Sequence, residues 1–193
     1  MRDAQPVVAE LAGYISSEVN RLNTLVARFL DFARPTRIEL RPVRLPEVVD
    51  RALNLVQHQF PNARVQVERH YAENLPQSLA DEQSCEQVFI NLILNAYQAM
   101  EGQVGKLRLA IAGQNSGGIE GVAVSVEDTG SGVPPELREQ IFNPFFTSKK
   151  EGVGLGLSIV AKIVDDHRGW IRLESDSTQG AHFRVFFPAA PKS

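Results

Sequence analysis

Two strand-like segments that follow one another closely constrain the fold of this chain most. KLRLAIA (106–112) and GVAVSVED (121–128) both alternate apolar with other residues, and the turn-rich QNSGG lies between them. Helical patterns stand on both sides of this pair. Because strands here neighbour strands as well as helices, the pattern favours an α+β two-layer sandwich over a doubly wound parallel sheet.

Further elements extend this pattern along the chain. We predict a helix from near Pro46, a strand at RVQVERH (64–70), and a helix from about Asp81 to Met100. The segment PPELREQIF (134–142) predicts a short helix that begins with prolines, and GLGLSIVAKIVDDH (154–167) a longer one. WIRLES and HFRVFFP then predict a pair of strands in a hairpin.

A separate helical pattern precedes these elements. Apolar residues at three- and four-residue spacing draw one stripe along residues 6–33, and Arg34 with Pro35 ends it. The stripe needs a partner, most simply another copy of the chain or a segment outside this sequence. The extended stretch before Pro46 then predicts a linker or an edge strand, limited by Pro42, with a domain boundary near residue 40.

Composition narrows the possible functions. The 193 residues are 43 % hydrophobic, which is enough for a sizeable core, and the net charge of -3 argues against a general nucleic-acid binder. The single cysteine, Cys85, lies in an apolar helical pattern and is predicted to be a small buried core residue in a reducing compartment. Since no apolar run approaches ~20 residues, we expect a cytoplasmic chain.

The helix predicted at 81–100 carries two asparagines on one face. Asn91 and Asn95 stand four residues apart, and an amide oxygen can bind Mg²⁺ without adding charge beside a polyphosphate. Taken alone, the pair is also compatible with two solvated surface amides.

Three glycines directly precede the helix predicted near residue 156. Gly152, Gly154 and Gly156 would let backbone N–H groups approach an anion at a helix N-terminus. The segment lacks the spacing of a P-loop, and a plain flexible loop beside solvated Lys149 and Lys150 stays an alternative.

The motif DTGSG (128–132) allows two interpretations. Asp128 ends a strand and is followed by Gly130 and Gly132, an arrangement that also occurs in aspartic proteases, where two such carboxylates share a proton. Those proteases are all-β, whereas strong helical patterns surround Asp128 here. These helical patterns therefore disfavour the protease interpretation.

Taken in order, these motifs resemble the catalytic ATP-binding domain of sensor histidine kinases. Residues 87–99 are similar to the N box of that family, EDTGSG to its first glycine box, IFNPFFTSK to its F box, and GVGLGLSIV to its second glycine box. QGAHFRVFFP resembles the strand that closes the domain. The resemblance covers roughly residues 40–190 and implies a Bergerat-type two-layer α/β sandwich.

The N-terminal segment resembles another part of the same family. ISSEVNRLNTLVARFLDFARP (15–35) is similar to the second helix of the dimerisation and phosphotransfer hairpin, most of all in kinases of the nitrogen-regulation type. We therefore expect a partial dimerisation helix at 1–37 and the catalytic ATP-binding domain at 38–193. None of the four histidines stands in the family's HE or HD acceptor motif, so we interpret all four as structural or surface residues.

The resemblance implies a role for each motif residue. Asn95 would bind Mg²⁺, Asn91 would orient the phosphates or a metal-bound water, and Asp128 would accept a hydrogen bond from the amine of adenine. The expected contacts of ATP beyond these are Gly130 and Gly132 at the base, and Lys149, Lys150, Gly152, Gly154, Leu155 and Gly156 at the phosphates. Val153 departs from the threonine common in the second glycine box and lacks its hydroxyl. Phe142, Phe145 and Phe146 are candidates for lid packing or for ordinary core packing.

The implied reaction, that of a bacterial two-component system, transfers the γ-phosphate of MgATP to a histidine outside this sequence. The implied partners are the histidine-bearing helix, a response regulator and a second copy of the full-length kinase. A membrane anchor elsewhere in the full-length protein is compatible with this interpretation. A non-kinase ATPase of the same superfamily, an anti-sigma serine kinase and a nucleotide-binding scaffold are the competing interpretations. The dimerisation-type helix argues against the first two.

Overall fold

The computed structural model describes residues 13, 15, 16, 18, 19, 38–147, 153–174 and 180–191. The chain divides into two compact units, Met1–Thr36 and Arg37–Ser193. In the first unit the described residues are helical, and Ile15 and Val19 of the predicted apolar stripe are exposed. The rest of the helix predicted at 6–33 lies outside the described residues.

The described part of the second unit alternates short helices with strands. In chain order its elements are β1 (Arg41–Val43), α1 (Leu45–Gln59), β2 (Val65–Tyr71), β3 (Ser78–Ala80), α2 (Glu82–Ala99), β4 (Gly105–Ser116), β5 (Ile119–Asp128), a 3-10 turn (Pro135–Leu137), α3 (Gly156–Asp166), β6 (Trp170–Leu173) and β7 (His182–Pro188). No helix within these residues has the length and hydropathy needed to cross a membrane.

One sheet organises these elements. Its strand order within the described residues is β2-β4-β5-β7-β6, and only the β2–β4 pair is parallel. β1 and β3 pair antiparallel as a separate two-stranded sheet, which confirms the edge strand expected at Pro42. The mixed α+β arrangement predicted from the neighbouring strand patterns is therefore confirmed.

The sheet has one apolar and one polar face. Leu107, Leu109 and Val124 point toward the helices and are fully buried there with Phe89 of α2. On the other face, charged side chains pair across strands, as between Lys106 Nζ and Glu68 Oε1 at 2.8 Å and between Arg108 and Glu127. This division confirms a two-layer sandwich, because helices cover only one side of an amphipathic sheet.

α2 begins at a well-formed N-cap. The Asp81 carboxylate accepts hydrogen bonds from the backbone N–H groups of Ser84 (2.9 Å) and Glu39 (3.0 Å). Burial raises the pKa of this carboxyl, but the two N–H groups outweigh that effect and hold the pKa below its ordinary value. Four residues later Cys85 is fully buried, and burial raises the pKa of its thiol, which confirms the predicted core role.

Two predicted elements differ from the structure. β4 and β5 are longer than expected, because Asn115 and Ser116 pair with Glu120 and Ile119 across the hairpin. The turn is therefore Gly117-Gly118 alone, and both residues have positive φ, as a two-residue type I′ turn requires. The prediction of a helix over 134–142 is wrong in extent, since the only helical element there is the 3-10 turn Pro135–Leu137.

Candidate nucleotide-binding site

Asp128 lies at the end of β5 with its carboxylate turned into the protein. It shares a strand face with Val126 and Val124, and it is only 6 % exposed. Its Oδ1 accepts hydrogen bonds from the backbone N–H of Gly130 at 2.8 Å and of Ala181 at 3.3 Å. An oxygen that accepts two backbone donors serves as a fixed acceptor, and neither bond requires a proton on the carboxyl.

The loop after Asp128 is packed tightly against the end of α2. A Cβ atom at Gly130 would lie 2.7 Å from both Cβ and O of Ala99, so that only glycine fits without a shift of the backbone. Gly132 has a left-handed backbone with φ 70°. Thr129 ties the loop to β4, because its Oγ1 accepts from Lys106 N–H at 2.9 Å. The protein itself thus also requires both glycines expected to admit a base, Gly130 for its packing and Gly132 for its backbone conformation.

The two asparagines of α2 are half-buried, and one of them meets α3. Asn91 Nδ2 donates to the carbonyl of Gln87 at 2.9 Å, which fixes the orientation of the amide. A Cβ atom at Gly156 would lie 3.3 Å from Asn91 Oδ1. Asn95 follows one turn later on the same helical face. The first turn of α3 therefore adjoins the face of α2 that carries both amides.

The glycine-rich entry to α3 is built on the segment 142–146. Gly154 has φ 71°, and a Cβ atom there would lie 2.7 Å from Phe146 N. Leu155 is 1 % exposed, so its side chain belongs to the core and only its backbone remains for a ligand. This packing presents the N-terminal N–H groups of α3 beside Asn91.

The phenylalanines of this segment have different surroundings. Phe142 makes an edge-to-face contact with Phe183 of β7, with ring centroids 6.4 Å apart. This contact favours core packing for Phe142. Phe145 is 58 % exposed and has a left-handed backbone, so it remains a candidate for lid packing. Lys149, Lys150 and Gly152 lie outside the described residues, and their expected phosphate contacts stay predictions.

Gly180 and Ala181 also belong to the site, although they lie outside the four sequence motifs. Besides the bond from Ala181 to the carboxylate, Asp128 N–H donates to Ala181 O at 2.9 Å and Gly180 N–H donates to Gly130 O at 2.8 Å. Gly180 has φ 76°, and a Cβ atom there would collide with the carbonyl of Asp128. The glycine in QGAHF was the available sequence signal, since it precedes a strand and permits such an approach.

Comparisons with known proteins agree on one family. A family model described as histidine kinase-, DNA gyrase B-, and HSP90-like ATPase matches residues 80–191. The sensor histidine kinase ZraS of Salmonella typhimurium is 34 % identical over 179 residues, or 93 % of this chain and 38 % of that protein. The sensory histidine kinase/phosphatase NtrB of Rhodobacter capsulatus is 34 % identical over 95 % of this chain and 53 % of its own length.

A solved structure extends the similarity to the fold. The histidine kinase ThkA, crystallised in complex with the response regulator protein TrrA, matches 95 % of this chain and 52 % of its own with a TM-score of 0.74 and 30 % identity. With NtrB, relatives of the nitrogen-regulation type are among the matches. The chain spans between about a third and about half of the relatives it resembles.

Proposed function

Since this chain belongs to the family of histidine kinase-, DNA gyrase B- and HSP90-like ATPases, we propose that residues 38–193 act as the ATP-binding catalytic domain of a two-component sensor histidine kinase. The observation that carries this proposal is the carboxylate of Asp128, buried and oriented by two backbone N–H groups at the rim of the glycine loops. Residues 1–37 would supply part of the dimerisation and phosphotransfer hairpin.

Asp128 recognises adenine in this proposal. An ionised carboxylate accepts a hydrogen bond from the exocyclic amine of adenine, whereas guanine presents a carbonyl oxygen at the same position. Two acceptors facing one another repel, and a desolvated site makes this costly. The bonds from Gly130 and Ala181 support this role, because they hold the carboxylate in one orientation before the base arrives.

The phosphates would lie between α2 and the first turn of α3. Asn91 and Asn95 offer neutral amides there, and Gly154, Leu155 and Gly156 offer backbone N–H groups. Within the described residues no three histidine, cysteine or acidic side chains cluster as a metal site. Neutral oxygen donors suit Mg²⁺, which keeps several waters and depends on phosphate oxygens, so Asn95 would be its protein ligand. The ion would neutralise charge on the transferring phosphoryl group.

The proposed reaction moves the γ-phosphoryl group from ATP to a histidine nitrogen. The nitrogen attacks the γ-phosphorus in line while the bond to the bridging oxygen breaks and ADP leaves. The protein contributes positioning and charge stabilisation, with Lys149 and Lys150 as further phosphate contacts. Partners of the full-length protein would be the histidine-bearing helix, a response regulator and a second copy of the kinase, in the cytoplasm.

Phosphate transfer to an added acceptor tests the function. We expect the chain, mixed with radiolabelled MgATP and a separate helical hairpin that carries an HE or HD motif, to label the histidine of that hairpin. A hairpin with glutamine in place of this histidine is the control and should stay unlabelled. ATP binding without any label on the histidine would contradict kinase competence and favour a nucleotide-binding scaffold.

A further inference from the structure

His167 is a buried histidine with no part in the nucleotide site described above. It caps the C-terminus of α3 and is 2 % exposed. Its Nδ1 lies 2.7 Å from the carbonyl of Ile163, and its Nε2 accepts the backbone N–H of Asp81 at 2.9 Å. Only a neutral imidazole with its proton on Nδ1 satisfies both contacts. The ring also stands edge-on to Phe187, at 5.6 Å.

The partner of His167 is itself firmly held. Asp81 is the N-cap of α2, and its two carboxylate oxygens accept N–H groups from Ser84 and Glu39. His167 therefore joins the C-terminus of α3 to the N-terminus of α2 through a backbone donor that is fixed by its neighbours. Since the two residues are 86 positions apart in sequence, this contact is set by the fold and not by local structure.

α3 contacts α2 at both of its ends. At one end, His167 Nε2 accepts the backbone N–H of Asp81. At the other end, a Cβ atom at Gly156 would lie only 3.3 Å from Asn91 Oδ1. The helix is 11 residues long, or about 16 Å, and its continuous backbone hydrogen bonds link the two contacts. A shift of its C-terminus along the axis is therefore passed to the glycine-rich N-terminus beside Asn91.

We propose that His167 is a positioning residue for nucleotide binding: by fixing α3 against α2, it sets the distance between the N-terminal N–H groups of α3 and the phosphates. This inference rests on the function proposed above. Loss of the Asp81–His167 bond leaves the adenine contact at Asp128 in place but misaligns donors to a charged phosphate. Misalignment of one such donor is expected to weaken ATP binding about tenfold.

Two nearly isosteric substitutions separate this role from stability. His167→Gln keeps a strong acceptor within reach of Asp81 N–H, whereas His167→Met fills similar space with only a weakly accepting thioether and adapts to irregular cores. Calorimetric titration of the whole chain with MgATP should give a dissociation constant about tenfold higher for the methionine variant and within about twofold of wild type for the glutamine variant. Should the methionine variant not fold, His167→Asn replaces it, because its shorter side chain does not reach Asp81 N–H.

A matched control removes a comparable bond elsewhere. Tyr71→Phe deletes the part-buried hydrogen bond from Tyr71 Oη to Asp50 at 3.0 Å, which links β2 to α1. Its unfolding midpoint should fall while its ATP affinity stays at the wild-type value. If the methionine variant also loses stability but not ATP affinity, His167 is only structural and the inference is overturned. If the wild-type chain binds no ATP, the proposed function fails instead.

Discussion

Replacing Asp128 with alanine is expected to weaken ATP binding about 10- to 100-fold, because a hydrogen bond to a charged group contributes about 1.5 to 3 kcal/mol. The carboxylate is buried, and the N–H groups of Gly130 and Ala181 hold it in the orientation that the proposed contact with adenine needs. Isothermal titration calorimetry with MgATP measures the effect directly.

The neighbouring carboxylate provides the control for this substitution. Glu127 precedes Asp128 on the opposite face of β5, where it pairs with Arg108 at 3.2 Å and its side chain is 44 % exposed. Glu127→Gln should leave ATP affinity unchanged. Asp128→Ala also removes the acceptor for two N–H groups, so circular dichroism is needed to show that the variant is folded. A folded Asp128→Ala protein with wild-type ATP affinity would refute the assignment of adenine recognition.

Asn95→Ala is expected to slow phosphoryl transfer to an added histidine hairpin by about 100-fold. The reason is geometric, because displacing a reacting group by about 1 Å can slow a reaction by about this factor. Asn95 is the proposed protein ligand of the ion that positions the γ-phosphate. ATP affinity measured without Mg²⁺ should change little. Single-turnover transfer of labelled phosphate with Mg²⁺ gives the rate, and calorimetric titration with ATP, with and without Mg²⁺, gives the affinity.

A second amide on the same helix controls for general effects on α2. Gln98 lies three residues after Asn95 and is exposed, so Gln98→Ala should transfer phosphate at the wild-type rate. If Asn95→Ala reacts as fast as Gln98→Ala at saturating MgATP, Asn95 has no role in the reaction. An equal loss of ATP affinity with and without Mg²⁺ would instead assign Asn95 to the nucleotide alone.

Local patterns in the sequence predicted most of the sheet. The alternation in GVAVSVED and HFRVFFP marks strands because each has one face in the core, and the 3.6-residue period before Met100 marks α2 for the same reason. The β4–β5 turn was predicted too long. Asn115 and Ser116 are common in turns, but here they pair across an extended hairpin, and cross-strand pairing outweighs their intrinsic preference.

The supports of the candidate site could not be predicted from local sequence. The motif DTGSG predicts a role for Asp128, whereas Ala181, which helps to orient it, lies 53 residues away. The contact between His167 and Asp81 spans 86 residues, and the clearance of Gly130 depends on Ala99 of a preceding helix. Such contacts exist only once the elements have packed, and they leave no periodic signal.

Nucleotide selectivity of the unmodified chain tests the central proposal most directly. Calorimetric titration with ATP and with GTP, each with and without Mg²⁺, needs no partner protein and no substitution. We predict saturable binding of one ATP per chain that Mg²⁺ strengthens, and GTP binding at least about tenfold weaker, because guanine places an acceptor against the carboxylate of Asp128. Absence of ATP binding, or equal affinity for the two nucleotides, would contradict an adenine site built on Asp128.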